Sequence, residues 1–408
     1  MKTMFKALWL IMLLLAIGSC KKTKQAEIIT PPIEKNKMVV VNDESGTLYA
    51  VNAATGVLAW KAVNPGGGYN YISSPGMTPE GIVFVDNETD KLFGYSTPDG
   101  LMKWTKNYVY TSYYASPIIK DNIAYVVNYD YGGYYNFKIT GYTLLGGAAV
   151  KEARIPNAYN ANSLNIVNNM FIVGSCGGHL TGISQDGIKQ WEYQSKNSCY
   201  HNNPAINKGI IYILDAGGKL SAVNAATGDE IWSRDESNYV SNASVVYNNG
   251  MLFIAGYNNK VYAFEAYDGD LVHTYTLPDN TYTYYMIAPA VLNDRMYVLT
   301  ENGTLVAFDV NAETIVWQKE FNMTSGGGGG RMMGSITFDN RTESVYSYSS
   351  VVVANNTLFM AAGKSLYAVD LKGEIMWQFN ADDYIFSSPV VLSDFNKTYR
   401  CGNAGVVE

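Results

Sequence analysis

The chain has 408 residues, of which 47% are hydrophobic and only 16% are charged, and it contains 33 Tyr and 38 Gly. Strand-forming and turn-forming residues are abundant, whereas the Glu, Lys and Arg that fill exposed helices are scarce, so the composition favours an all-β protein. The net charge of −7 argues against a nucleic-acid partner, because no basic stripe is present to contact phosphates.

The N-terminus has the layout of a signal peptide. Two lysines precede the apolar run Ala7–Ile17, which is too short to span a bilayer and ends in Gly18-Ser19-Cys20. Small residues directly before a cysteine resemble the bacterial lipobox, which implies cleavage before Cys20 and attachment of lipid, including palmitate. An ordinary signal peptide that contains a cysteine is the alternative. We predict a lipoprotein signal peptide at residues 1–19 and a flexible tether at residues 20–37.

The residues after Cys20 bear on which membrane holds the lipid anchor. Lys21 and Lys22 follow the cysteine, and the acidic residues associated with inner-membrane retention in some bacteria are missing there. We therefore predict a protein of the cell envelope that is lipid-anchored to the outer membrane. Whether it faces the periplasm or the exterior stays open.

The rest of the chain is an internal repeat. Residues 46–60 recur almost verbatim as residues 218–232, and the two segments share the pattern Leu-x-Ala-Val-Asn-Ala-Ala-Thr-Gly followed by Trp. Weaker copies occupy residues 91–104, 140–151, 178–191, 259–273, 303–317 and 364–377. The terminal Trp recurs about every 42 residues, a period that fits four strands per unit. In the copy that ends at residue 273, His273 replaces the Trp, and we expect it to have a structural role.

Each unit predicts the same four strands. A short first strand follows a proline signal such as Ser74-Pro75 or Asn203-Pro204, the second strand is strongly apolar, the third carries Leu-x-Ala, and an Asp-Gly or Thr-Gly turn leads to the Trp strand. A lone small sheet would leave a hydrophobic face bare, and circular stacking buries both faces. We predict an eight-bladed β-propeller of four-stranded antiparallel blades over residues 38–408. A solenoid would need end caps, and none is visible.

The two ends of the repeat suggest how the ring closes. The repeat starts in mid-unit at Met38, and a surplus first strand is expected at residues 388–392, so one blade would be completed from both ends. Residues 397–408 begin a further strand that duplicates Met38–Asn42. The sequence leaves open which of the two terminal segments closes the sheet.

The repeat motif Gly-x-Leu-x-Ala-x-Asp/Asn-x-x-Thr-Gly-x-x-x-Trp resembles that of pyrroloquinoline-quinone-like (PQQ-like) propellers over residues 38–392. This family contains quinoprotein alcohol dehydrogenases and the propeller lipoprotein of the outer-membrane barrel-assembly machine. The resemblance implies the fold. Its second member suggests a non-catalytic envelope lipoprotein with a scaffold or assembly role, whose propeller face binds a protein partner.

The quinoprotein enzymes of the family provide the weaker alternative, a PQQ-dependent dehydrogenase. Their cofactor site combines a stacking Trp, a vicinal Cys-Cys disulfide, a calcium ion and a catalytic Asp. No two cysteines are adjacent here, and the segments expected to line the axis contain no carboxylate for calcium binding or acid–base catalysis. We therefore predict no cofactor, no metal and no enzymatic activity.

Three cysteines follow Cys20. Cys176 ends a second strand and Cys199 precedes the next blade, so antiparallel order puts both on the same face, and a disulfide is expected in an oxidising compartment. Free thiols are one alternative, and a zinc site that also uses His179 and His201 is another. Cys401 is left without a predicted partner.

The segments that enter the first strands are rich in tyrosine. We predict a binding face, for a protein partner or alternatively for a glycan or small ligand, because tyrosine combines an apolar ring with a polar tip and long loops on a rigid scaffold often carry binding. Packing of these rings between blades is the alternative. The candidate residues are Tyr71, Tyr110, Tyr113, Tyr114, Tyr159, Tyr200, Tyr239, Tyr284, Tyr285, Tyr348 and Tyr384.

Overall fold

A computed structural model describes residues 35–64, 73–86, 91–107, 116–129, 137–156, 158–195, 199–200, 202–235, 243–256, 259–278, 287–300, 302–321 and 349–400. The secondary structure in these ranges is β-strand. Among them there is no helix long and apolar enough to cross a membrane. The strands form eight antiparallel sheets, which confirms the predicted eight-bladed β-propeller.

The strands are numbered in chain order, and the blades are numbered from the first one that the chain enters. Blade 1 contains β1 (Asn36–Asn42), β2 (Leu48–Asn52), β3 (Leu58–Ala62), β32 (Val390–Ser393) and β33 (Thr398–Tyr399). Blade 2 contains β4 (Gly76–Met77), β5 (Gly81–Asp86), β6 (Lys91–Ser96) and β7 (Met102–Asn107). Blade 3 contains β8 (Ile118–Lys120), β9 (Ile123–Tyr129), β10 (Phe137–Thr143) and β11 (Ala149–Ile155). Blade 4 contains β12 (Tyr159–Val167), β13 (Met170–Cys176), β14 (His179–Ser184) and β15 (Lys189–Gln194).

The second half of the ring repeats this order. Blade 5 contains β16 (Ala205–Asn207), β17 (Ile210–Leu214), β18 (Lys219–Asn224) and β19 (Glu230–Asp235). Blade 6 contains β20 (Val246–Asn248), β21 (Met251–Ala255), β22 (Lys260–Glu265) and β23 (Leu271–Thr276). Blade 7 contains β24 (Ala290–Leu292), β25 (Arg295–Leu299), β26 (Thr304–Asp309) and β27 (Thr314–Glu320). Blade 8 contains β28 (Val352–Ala354), β29 (Thr357–Ala362), β30 (Ser365–Asp370) and β31 (Ile375–Asn380).

The hydrophobic core lies between the blades. Side chains alternate along each strand, so one blade buries two faces: Val39 and Val41 pack against blade 8, and Val40 packs against blade 2. Eight such clusters occur, one at every junction between neighbouring blades. The junction of blades 8 and 1 is as apolar as the others, so the repeat forms a closed ring and the solenoid interpretation is wrong.

Blade 1 is completed from both ends of the repeat, and the structure answers the question that the sequence left open. β32 pairs with β1 through Val391↔Val39 and Val390↔Val40, so the strand near residue 390 closes the ring. β33 does not replace β1. It pairs with the other edge of β32 through Val391↔Tyr399 and Leu392↔Thr398, and blade 1 therefore has five strands.

In blades 1, 2, 4, 5, 7 and 8 the repeat Trp joins the blade to the next one. Its indole N–H donates to a backbone carbonyl just after the third strand of the following blade, at 2.8 to 3.1 Å. The pairs are Trp60 to Thr97, Trp104 to Leu144, Trp191 to Ala225, Trp232 to Ala266, Trp317 to Leu371 and Trp377 to Ala53. The same rings cover the turn glycines of the following blades. A Cβ on Gly228, whose φ is +77°, would lie 2.6 Å from the Trp191 ring. Glycine is thus required in this turn for two reasons. Its positive φ is unfavourable for other residues, and the Trp ring leaves no room for a Cβ.

Blade 6 makes the same connection without a Trp. His273 occupies the Trp position, and its ring nitrogen lies 2.7 Å from a carboxylate oxygen of Glu313 in blade 7. The hydroxyl of Tyr275, two residues later, donates to the carbonyl of Val310 at 2.8 Å, which is the position that the indole reaches at the other junctions. His273 therefore has the structural surroundings expected of a repeat position.

Candidate binding face

One end of the propeller collects two kinds of connection. Second strands end there and first strands begin there, because the four strands of each blade are antiparallel. We call this end the loop face. Tyr159 lies in β12 at the loop face, where its backbone pairs with Cys176. The candidates that lie outside the described residues, although the strands on either side of them end or begin at the loop face, are Tyr71, Tyr110, Tyr113, Tyr114, Tyr239, Tyr284, Tyr285 and Tyr348.

Two of the candidate tyrosines are buried, which departs from the prediction of a binding surface. Tyr200 is 1% exposed and packs in the core between blades 4 and 5, where burial raises the pKa of its hydroxyl. Tyr384 is 6% exposed, stacks on Phe386 and lies under the ammonium group of Lys364. These two rings pack within the fold, which is the alternative to a place on a binding surface.

The serines at the entry to several first strands have a structural role. Around the axis, the backbone N–H of one entry residue donates to the serine hydroxyl of the next blade, as in Ser74 to Ser116 at 3.1 Å and Ser350 to Ser388 at 2.9 Å. Asn203 donates to Ser244 and Ala288 donates to Ser350 in the same way. These serines, which we call the serine belt (Ser116, Ser244, Ser350 and Ser388), are buried. The belt holds the base of the loop face by satisfying buried N–H groups.

Cys176 and Cys199 form a disulfide with an S–S distance of 2.05 Å. The bond ties the end of β13 to the segment that enters blade 5, where Cys199 also accepts a hydrogen bond from the N–H of Ala216. Bonded sulfurs are not available as zinc ligands, and His179 instead approaches Glu192 at 3.0 Å. In the described part of the chain, no group of three or more His, Cys, Asp or Glu side chains is placed to hold a metal ion. His201 and Cys401 lie outside the described residues.

An acidic cluster at the junction of blades 8 and 1 was not foreseen from the sequence. Asp43 accepts hydrogen bonds from the N–H of Thr47 and the hydroxyl of Tyr49, and burial raises the pKa of the Asp43 carboxyl. Burial also raises the pKa of Glu44, with further contributions from the nearby carboxylates of Asp383 and Asp43, while Lys364 acts in the opposite sense. The turn motif Asp43-x-x-Gly46 recurs as Asp215-x-x-Gly218, a signal that could have identified these buried carboxylates.

A second polar cluster joins blades 4 and 5. The hydroxyl of Tyr193 donates to Glu230 at 2.6 Å, and the ammonium of Lys219 donates to both groups at 2.9 Å. Burial raises the pKa of Tyr193. Burial would raise the pKa of Glu230 too, but hydrogen bonds from Tyr193 and Lys219 outweigh it and lower that pKa. The tyrosine is thus held protonated against a carboxylate, an arrangement that stabilises the junction.

Comparison with known proteins identifies the family. The family model described as "Outer membrane protein assembly factor BamB" matches residues 146–238 and 227–380, which together make up more than half of the chain. The chain belongs to this family. The BamB of Yersinia pestis is 22% identical over 285 residues, which cover 66% of this chain and 68% of that protein. The BamB of Francisella salina is 24% identical over 157 residues, and the match spans only 30% of its length.

This BamB-family chain is also similar to a protein of another name and to proteins of known structure. The tetrathionate hydrolase of Acidithiobacillus ferrooxidans is 21% identical over 264 residues, covering 61% of this chain and 48% of that protein. Among solved structures, BamB from Moraxella catarrhalis has a TM-score of 0.60 at 14% identity and covers 83% of this chain and 90% of its own. AztD from Citrobacter koseri has a TM-score of 0.59 at 10% identity, covering 87% and 97%. These structural likenesses show the propeller fold alone.

Proposed function

We propose that this protein is a non-catalytic lipoprotein of the outer membrane whose propeller binds a protein partner and acts in outer-membrane protein assembly. The observation that carries the proposal is the match of residues 146–380 to the family described as an outer membrane protein assembly factor. A rigid closed ring suits such a role, because it presents loops from several blades on one face without needing to change shape.

The N-terminal pattern supplies the membrane attachment in this proposal. Residues 1–19 direct export and are removed, Cys20 carries the lipid, and the residues between Cys20 and the start of β1 at Asn36 tether the propeller to the membrane surface. A tether of this length gives the propeller freedom to orient one face towards a membrane-bound partner.

Several side chains that could take part in catalysis already have structural partners. This supports a binding role. The repeat Trp indoles bond to backbone carbonyls, Tyr193 and Lys219 are committed to Glu230, and the serines at the axis bond to neighbouring blades. The fold by itself does not decide between binding and catalysis, since a tetrathionate hydrolase is among the relatives.

The test is gentle crosslinking of the natively anchored protein, followed by mass spectrometry of what co-purifies. We expect outer-membrane β-barrels or their assembly factors to be recovered, and replacement of Tyr110, Tyr113 and Tyr284 by Ala to reduce that recovery. Tyr267→Ala is the matched control, because Tyr267 is 88% exposed and belongs to a turn between third and fourth strands, at the opposite end of the propeller.

Two parallel measurements address the rival functions. Binding of the soluble domain to a glycan array, without recovery of a protein partner, would show a carbohydrate-binding protein and contradict the proposal. Oxidation of an alcohol by protein supplied with pyrroloquinoline quinone and calcium, followed with a redox dye, would show a dehydrogenase and contradict it as well.

A further inference from the structure

The fifth strand of blade 1 occupies a position that the other described blades leave empty. Within the described ranges, the first strands of blades 2 to 8 each pair with a strand on one side only. β32 is paired on both sides, with β1 on its outer edge and β33 on its axial edge. The backbone of residues 398–399 therefore lies inside the ring of first strands.

Side chains of this strand contact the two neighbouring blades. The Thr398 hydroxyl donates to the carbonyl of Met77 in blade 2 at 3.2 Å. The Tyr399 hydroxyl donates to the side-chain oxygen of Asn355 in blade 8 at 3.1 Å. The strand thus contacts the blades on both sides of blade 1.

A cation continues this pattern at the next position. The guanidinium group of Arg400 donates to the carbonyl of Pro117 in blade 3 and to that of Met77, both at 3.5 Å. Pro117 directly precedes β8, and Met77 is the last residue of β4, so both carbonyls belong to first-strand segments. A hydroxyl, an aromatic hydroxyl and a cation in succession therefore donate to acceptors on blades 2, 3 and 8.

The main-chain pairing of this strand is short. β33 pairs with β32 at two positions, whereas β1 pairs with it at four. Thr398, Tyr399 and Arg400 are all partly exposed, and the turn before them, residues 394–397, is exposed. Tyr399 also packs against the core between blades 8 and 1. A two-residue pairing contributes little by itself, so the strand is held mainly by its side-chain contacts.

We propose that the axial edge of β32 is a binding site for an extended polypeptide segment of a partner protein, which residues 398–400 occupy in its absence. The partner segment would add a strand to β32 through main-chain hydrogen bonds, and its hydroxyl, aromatic and cationic side chains would replace those of Thr398, Tyr399 and Arg400. This inference rests on the proposed function in that it names the kind of partner segment the propeller takes.

The test uses the full-length chain, which is cleaved at one inserted site while both fragments are kept. A protease site is inserted in the exposed turn at residues 394–396, the protein is cleaved, and a labelled peptide of residues 394–408 carrying Cys401→Ser is added. We expect saturable uptake of the peptide by the cleaved protein. Uptake by the intact chain should be at least about tenfold weaker, because a tethered strand competes at an effective concentration of the order of millimolar.

Control variants separate strand exchange from damage by cleavage. Peptides carrying Tyr399→Ala with Arg400→Ala should bind at least about tenfold more weakly, since both axial contacts are lost. The uncut protein with the same two substitutions should admit the wild-type peptide, because its own strand is loosened. Failure of uptake by both the cleaved protein and this uncut variant, or equal uptake by the intact wild type, would overturn the inference.

The outcome is independent of the test of the proposed function. Recovery of envelope proteins by crosslinking without peptide uptake would leave the assembly role intact and remove the axial site. Peptide uptake without recovery of any envelope partner would establish the axial site and remove the assembly role.

Discussion

The indole N–H of Trp377 donates a hydrogen bond of 2.9 Å to the carbonyl oxygen of Ala53, 324 residues earlier in the chain. This contact joins blade 8 to blade 1 and repeats what the other Trp residues do between neighbours in sequence. The Trp377 ring also covers Gly56, where an added Cβ would lie 2.8 Å away. Two interactions therefore close the ring: the pairing of β32 with β1, and the packing of the Trp377 indole on the turn at Gly56.

We expect Trp377→Phe to lower the free energy of unfolding by about 1–3 kcal/mol, because the buried carbonyl of Ala53 loses its donor while most of the apolar contact remains. Urea unfolding measures the change. Tyr267→Phe, at an exposed turn, should leave stability within about 0.5 kcal/mol of wild type. A Trp377→Phe protein as stable as this control would show that the bond has no role in closure.

At the junction of blades 6 and 7, Tyr275→Phe should cost about 1–2 kcal/mol, because the Val310 carbonyl loses its hydrogen bond. Adding His273→Trp should recover most of the loss, since an indole at the repeat position can reach the same carbonyl. Thermal unfolding of the single and double variants tests this. No recovery in the double variant would mean that the junction has adapted to tyrosine in a way that excludes the repeat solution.

The repeat motif predicted the blades because its residues perform the same contact at nearly every junction. The Trp, the turn Gly and the Leu-x-Ala strand each appear in the structure at the expected place, as in Trp191 above Gly228. The exchange of roles between His273 and Tyr275 could not be predicted, since it depends on which side chain reaches one carbonyl. The choice of β32 over residues 397–408 for closure depended on pairing between the two ends of the chain, which a local pattern does not contain.

A comparison of Gly228 with Gly250 distinguishes the cost of a positive φ from the cost of a steric clash with a neighbouring ring. Gly228 and Gly250 both have positive φ, +77° and +87°, but a Cβ on Gly228 would meet Trp191 whereas one on Gly250 would meet nothing within 4 Å. Gly250→Ala should cost about 1–2 kcal/mol from strain alone. Gly228→Ala should cost more, because the indole must also move. Equal losses in denaturant unfolding would show that the Trp191 ring yields without cost.

The disulfide can be tested by removal. Replacing both Cys176 and Cys199 by Ser should lower the free energy of unfolding by about 3 kcal/mol, the loss expected for a closed loop of this length. Peptide mapping without reductant should find the two cysteines joined in protein from the native compartment. Free thiols there, or a double variant of unchanged stability, would contradict the prediction.

The candidate face was harder to predict than the fold. Tyrosine suits a buried junction as well as a binding surface, and sequence position alone could not tell Tyr200, which is buried, from an exposed ring. The disulfide was predictable because strand alternation puts both cysteines at the loop face. The buried carboxylates were missed because Asp43 and Glu44 read as an ordinary polar turn, and only packing of the neighbouring blade removes them from water.

Glu44 should make stability depend on pH. It is 8% exposed, and burial, Asp383 and Asp43 raise its pKa above the usual 4.5, against the opposing effect of Lys364. The folded state therefore holds the proton more tightly than the unfolded state, so this group makes the free energy of unfolding fall as the pH rises from about 4.5 through the raised pKa. Glu44→Gln should be more stable than wild type at pH 7, and the difference should shrink as the pH falls through the raised pKa and be smallest below about 4.5. Unfolding titrations across this range measure it, with exposed Glu80→Gln as the control. A Glu44→Gln protein that parallels wild type at every pH would show that the carboxylate is solvated in the folded state.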